Sequence, residues 1–130
     1  MQRGYIALLT VFIVMVVVVT SASTVALLSI GEAQSGFSLF KGEDTLTFVE
    51  GCMEDALLKT RASPTFGDPV GTLVNITRPE GTCSVTVNSK VANTWTMTVT
   101  TNGATPHKRS IQVVFDRLPT GITLTSWKEI

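Results

Sequence analysis

The sequence predicts an α+β protein: a long N-terminal helix, membrane-spanning over its first half, packed by its second half on an antiparallel sheet of four to five strands. Three observations predict it. Residues 5–30 contain no Asp, Glu, Lys, Arg or His. From Leu46 to Leu57 apolar residues recur at three- and four-residue steps, the stripe of an amphipathic helix. After Gly71 the apolar period drops to two, in segments rich in Thr, Val and Ile. A chain of 130 residues supports one domain, and the apolar start leaves roughly 100 residues for a soluble fold.

The apolar start comes first. As a helix rising about 1.5 Å per residue, its 26 residues reach about 39 Å, more than the roughly 30 Å of a bilayer's hydrocarbon core. Arg3 and the α-amino group precede the run and Glu32 follows it, so the N-terminus is expected in the cytoplasm and the rest of the chain outside it. One reading of such a start is a secretory signal cut at the small residues "TSAS" (Thr20 to Ser23). Apolarity resumes at once with "TVALLSI", however, which suits one continuous helix.

Residues 31–63 read as an amphipathic helix with Leu46, Val49, Met53, Ala56 and Leu57 on its apolar stripe. Gly31, Gly36, Gly42 and Gly51 each weaken a helix by up to about 1 kcal/mol relative to Ala, so its middle is expected to bend or fray. Pro64 and Pro69 stop it. Residues 64–130 read as the β domain, with strands in "GTLVNIT", "TCSVTVN", "TWTMTVTTN", "RSIQVVFD" and "GITLTSW". Cys83, Val85 and Val87 alternate with Ser84, Thr86 and Asn88; Trp95, Met97 and Val99 alternate with threonines, so one side of the sheet is buried and the other wet. Turn chemistry lies at "RPEG" (Arg78 to Gly81), at Asn102–Gly103 and at "LPTG" (Leu118 to Gly121). One striped helix and one single-faced sheet bury their apolar sides against each other.

Cys52 and Cys83 both fall on the exported side, where a disulfide persists. Pairing would tie the helix stripe to the inner side of the second strand and stabilise the fold by roughly 3–4 kcal/mol in the chain-entropy model. The alternative is two separate buried thiols.

Ten Lys and Arg balance ten Asp and Glu, and beyond Ile30 the count is nine basic against ten acidic, a difference of minus one. No basic run neutralises phosphates, so no nucleic-acid partner is indicated. Catalytic sets are missing as well. The single histidine, His107, sits in the polar stretch "ATPHKRS" and reads as a solvated hairpin residue. Glu50, Glu54 and Asp55 read as an ordinary charged helix surface. No phosphate loop, dinucleotide fingerprint or zinc pair is present, and no cofactor or metal is expected. "NIT" at Asn75 to Thr77 matches a glycosylation sequon, a short and unspecific pattern. Trp95 shares its side with Met97 and Val99 and reads as core, whereas Trp127 is open between surface and partner-facing.

A very short basic leader ends in Gly4, Tyr5 opens a long apolar helix, and that helix runs into an amphipathic half followed by a cysteine-containing antiparallel sheet. This arrangement resembles the type IV pilin superfamily, including minor pilins and the pseudopilins of type II secretion. The resemblance covers the whole chain as architecture and residues Arg3 to Ile30 as sequence. It implies a leader over residues 1–4, a prepilin peptidase cutting between Gly4 and Tyr5, and N-methylation of Tyr5. It implies a helix over 5–30 that anchors the subunit in the cytoplasmic membrane and then enters a filament core at the cell surface, with other pilin-like subunits as partners. One departure is plain. The family usually carries Glu at the fifth mature position, where this chain has Leu9. Some minor subunits placed at filament tips also lack that Glu, so the resemblance implies a minor or tip-type subunit. Ser21, Ala22, Ser23, Thr24 and Ala26 are small enough to let helices approach closely and are the candidate helix–helix contact. The competing expectation is a single-pass anchored or secreted extracytoplasmic binding domain that does not polymerise.

Overall fold

A single helix, α1 (Gln2–Ala62), takes up 61 residues, and five strands follow it: β1 (Leu73–Arg78), β2 (Gly81–Val91), β3 (Thr94–Asn102), β4 (Ser110–Leu118) and β5 (Gly121–Glu129). The computed structural model describes residues 2–102 and 107–130. The fold is α+β, with helix packed on a five-stranded antiparallel sheet in the order β1-β2-β3-β4-β5, a meander in which each strand pairs with its sequence neighbours. The chain divides into two units, one ending at Phe40 and the other Lys41–Ile130.

The helix is continuous through all four of its expected weak points, and two of the glycines have packing reasons to be there. A Cβ on Gly42 would sit 3.3 Å from the Arg109 guanidinium, and one on Gly51 would collide with the guanidinium of Arg78. Arg78 lies across the helix at Gly51 and pairs with Asp55, Nε to carboxylate 3.0 Å. Absence of a side chain lets a strand residue cross the helix surface, which offsets the propensity lost to glycine.

Within the unit Lys41–Ile130 the core is built as the two periodicities require. Val49, Cys52, Met53, Ala56 and Thr60 of α1 are buried, with Leu46 and Leu57 half-buried beside them. They meet Ile76 of β1, Cys83, Val85 and Val87 of β2, Trp95, Met97 and Val99 of β3, and Ile111, Val113 and Phe115 of β4. The second face is half-exposed: along β3 it is the row of threonines expected from the alternation, Thr96, Thr98 and Thr100, and along β4 it is Ser110, Gln112, Val114 and Asp116. Cys52 and Cys83 form a disulfide, closing a separation of 31 residues between helix and sheet.

α1 lies along β4. Gly42 meets Arg109 at one end, and at the other the Arg117 Nε donates to the Thr60 carbonyl at 3.0 Å. The 18 steps from Gly42 to Thr60 at about 1.5 Å, and the eight from Arg109 to Arg117 at about 3.4 Å, both come to about 27 Å, so helix and strand are matched in length. Arg117 thereby also satisfies a carbonyl that the end of the helix leaves without an intrahelical partner.

The turns at Pro79–Glu80 and Pro119–Thr120 are two-residue connections, Arg78 pairing with Gly81 and Leu118 with Gly121. Of the expected Asn102–Gly103 turn, Asn102 ends β3 and Gly103 lies outside the described residues. A third tight turn carries no glycine: Val91 pairs with Thr94 across Ala92 and Asn93, and Ala92 takes φ 52°. Two bulges break the strict alternation, at Asn88 in β2 and at Thr125 in β5. The first brings Lys90 to the helix side, where its ammonium stands 4.1 Å over the Trp95 ring, pairs with Asp68 and donates to the Phe66 carbonyl at 2.9 Å. That clamp holds the connection between α1 and β1 against the core.

Candidate functional site

The first candidate is the part of α1 that ends at Phe40. Every side chain described from Gly4 to Phe40 is exposed, including Val11, Phe12, Ile13, Val14 and Met15 at 52–65%. By length and composition this helix is able to cross a membrane, with a window of mean hydropathy 2.6. Thr10, Val11, Val14, Met15, Val18 and Val19 line an apolar surface groove along it. Tyr5 and Leu9 are exposed, and Gly4 has open space around it.

The Ser and Thr hydroxyls from Thr10 to Ser29 turn back onto the helix. Ser21 and Ser23 donate to the carbonyls of Val17 and Val19 at 2.7 Å, Thr24 to that of Thr20 at 2.9 Å, and Ser29 to that of Val25 at 2.9 Å. Thr20 donates to Val16 and Val17, and Thr10 to Ala7. A polar group in hydrocarbon or in a dry helix interface costs several kcal/mol unless it is satisfied, and these are satisfied within their own helix. The signal was present in the sequence as Ser and Thr four residues beyond Val and Thr, but composition alone does not say which way a hydroxyl turns.

Ser21, Ala22, Ser23, Thr24 and Ala26 are all exposed. At 100° per residue they do not form a stripe; they ring the helix, a narrow waist about one and a half turns tall. A waist accepts a neighbouring helix from any side, whereas a stripe fixes one.

The remaining sequence candidates fall in the unit Lys41–Ile130. Glu50 and Glu54 are exposed on α1, while Asp55 is taken by Arg78. His107 is half-buried between β3 and β4. Asn75 is exposed on β1, and its Oδ1 accepts from Ser84 Oγ at 3.0 Å and from Asn102 Nδ2 at 3.2 Å, so it belongs to a polar network on the wet side of the sheet. Trp95 is buried, 6.0 Å from the Phe115 ring. Trp127 is 42% exposed on β5, paired with Val113. Among the described residues no three of His, Cys, Asp and Glu are grouped as metal ligands.

Compared with known protein families, with curated proteins and with solved structures, the chain shows no match.

Proposed function

We propose that the protein is a structural subunit of the type IV pilin kind, a minor or tip-type member of an extracellular pilus or of a type II secretion pseudopilus, rather than an enzyme. The observation that carries the reading is α1 itself: a helix exposed on all sides up to Phe40, without Asp, Glu, Lys, Arg or His over residues 5–30 and with its Ser and Thr hydroxyls from Thr10 to Ser29 internally satisfied, that becomes the covering helix of a disulfide-tied sheet. The first part needs an apolar surround, which lipid supplies before assembly and neighbouring helices supply after it. In this reading prepilin peptidase cuts between Gly4 and Tyr5, Tyr5 becomes the methylated N-terminus, and the Ser21–Ala26 waist is where subunits approach. Leu9 cannot pair with a neighbour's amino group. A position with no subunit above it makes no such demand, which is the support for a tip or low-copy place. Intact-mass and N-terminal analysis of the native protein tests this: a methylated Tyr5 is expected, and Met1 or a start near Thr24 would overturn it.

The competing reading, an anchored binding domain that does not polymerise, draws support from the exposed Trp127 and Leu124 on β5. Under that reading the protein fractionates as a monomer with the membrane and is missing from sheared cell-surface filaments.

A further inference from the structure

The apolar side of the sheet continues past the helix that covers it. On α1, Phe48 and Asp55 meet the β1–β2 turn at Gly81 and Arg78, so the opposite flank of the helix turns toward β5. At 100° per residue that flank carries the half-buried Leu46 and Leu57 and, above them, Glu43, Glu50 and Glu54, with Arg61 at its C-terminal end beyond the stretch that faces Trp127 and Leu124. On β5 the register puts Ile122, Leu124, Trp127 and Glu129 on the helix side, Glu129 being taken by Arg109. Trp127 is there only because of the bulge at Thr125, since strict alternation from Leu124 would turn it outward. Leu124 is 52% exposed and Trp127 42%, while their ladder partners Phe115 and Val113 are 0%.

The strand edge is open as well, because among the described residues β5 pairs with β4 alone. The Ile130 N–H donates to the Ser110 carbonyl at 3.0 Å. In an antiparallel ladder the direction alternates, so Ser126 and Lys128 also turn toward β4, and the N–H and C=O of Trp127 and Glu129 face outward. Backbone groups, apolar side chains and carboxylates thus converge on one edge. Among the described residues Glu43, Glu50 and Glu54 make no ion pair.

We propose that β5 accepts an added strand from a different protein, an extended segment whose inward side chains are Lys or Arg interspersed with aliphatic residues. Main-chain hydrogen bonds to Trp127 and Glu129 supply the pairing. Methylene stems of the basic residues cover Leu124 and Trp127 while their charged heads reach the carboxylates of α1. A second copy of this chain paired β5 to β5 is disfavoured, because it would bring two rows of glutamates together. The inference is independent of polymerisation, since it uses only the unit Lys41–Ile130.

The full-length protein in a non-ionic detergent tests it, with two synthetic probe peptides of equal length, one alternating Val with Lys and the other Val with Glu. The Val/Lys peptide is expected to slow hydrogen exchange at the Trp127 and Glu129 amides by about tenfold or more and to shift Trp emission to the blue, a shift lost in Trp127→Phe. The Val/Glu peptide is expected to do neither, and the double variant Glu50→Lys, Glu54→Lys, altered only at exposed positions, is expected to reverse the preference. Failure of both peptides, equal action by both, or protection of the same amides by self-association without any peptide would overturn the proposal.

Discussion

α1 is one helix in two circumstances. From Gly42 to Thr60 one side is buried against the sheet, and the residues there are the mixture expected of an amphipathic helix; up to Phe40 every side is exposed, and residues 5–30 carry no Asp, Glu, Lys, Arg or His. Backbone hydrogen bonding is the same in both, so what differs is where the hydrophobic surface finds cover. In the first case the chain supplies its own cover, and in the second the apolar surface is left bare. Side-chain hydroxyls do not follow this division: Ser29 and the buried Thr60 alike donate to the carbonyl four residues back, and what is particular to Thr60 is that its own carbonyl accepts from Arg117.

The two parts of α1 separate most sharply at the disulfide. Cys83→Ser is expected to destabilise the Lys41–Ile130 unit by about 3–4 kcal/mol, seen as a lower Tm in the full chain, while membrane partitioning stays unchanged because residues 4–40 are untouched. If both thiols of the native protein alkylate freely, the bond is not formed. The complementary change is Val17→Arg, which puts a charge at the middle of the apolar run. It is expected to oppose membrane insertion by about 2.5–3.5 kcal/mol, read as a shift toward the soluble fraction, without moving the Tm of the sheet domain. Movement of both properties by either variant would show that the two parts are energetically coupled.

Two glycines sharpen the contrast at smaller scale. Gly67 is buried at φ 71°, and an added Cβ would collide with the β-branched Val87. Gly67→Ala is expected to cost about 2–3 kcal/mol, from the left-handed backbone and the overpacked neighbour together. Gly36 has nothing within 4 Å. Gly36→Ala is expected to stabilise its turn of helix by up to about 1 kcal/mol, measured as slower amide exchange around residues 32–40 and no change in the Tm of the domain. The same substitution thus takes opposite signs in the two parts.

Local sequence was enough for the fold class, the end of α1 near Pro64, five strand segments and the inward sets of β2 and β3. Those features follow from local chemistry: periodicity, proline and two-residue turns act over a few residues and do not depend on what packs against them. It also brought Cys52 and Cys83 to the helix stripe and the inner side of a strand, which made their bond readable. Only the tertiary structure decided the rest. Gly42 and Gly51 look like weak points until Arg109 and Arg78 are seen to lie over them. Ala92 takes a turn conformation that glycine favours because register, set by the pairing of Val91 with Thr94, overrides its local preference. The bulges at Asn88 and Thr125 reverse the side on which Lys90 and Trp127 emerge, and a bulge leaves no signal in an alternating pattern. The convergence of Trp127, Leu124 and the glutamates of α1 joins residues some seventy positions apart in the chain, and only the packing of helix along β4 brings that edge and that helix flank side by side.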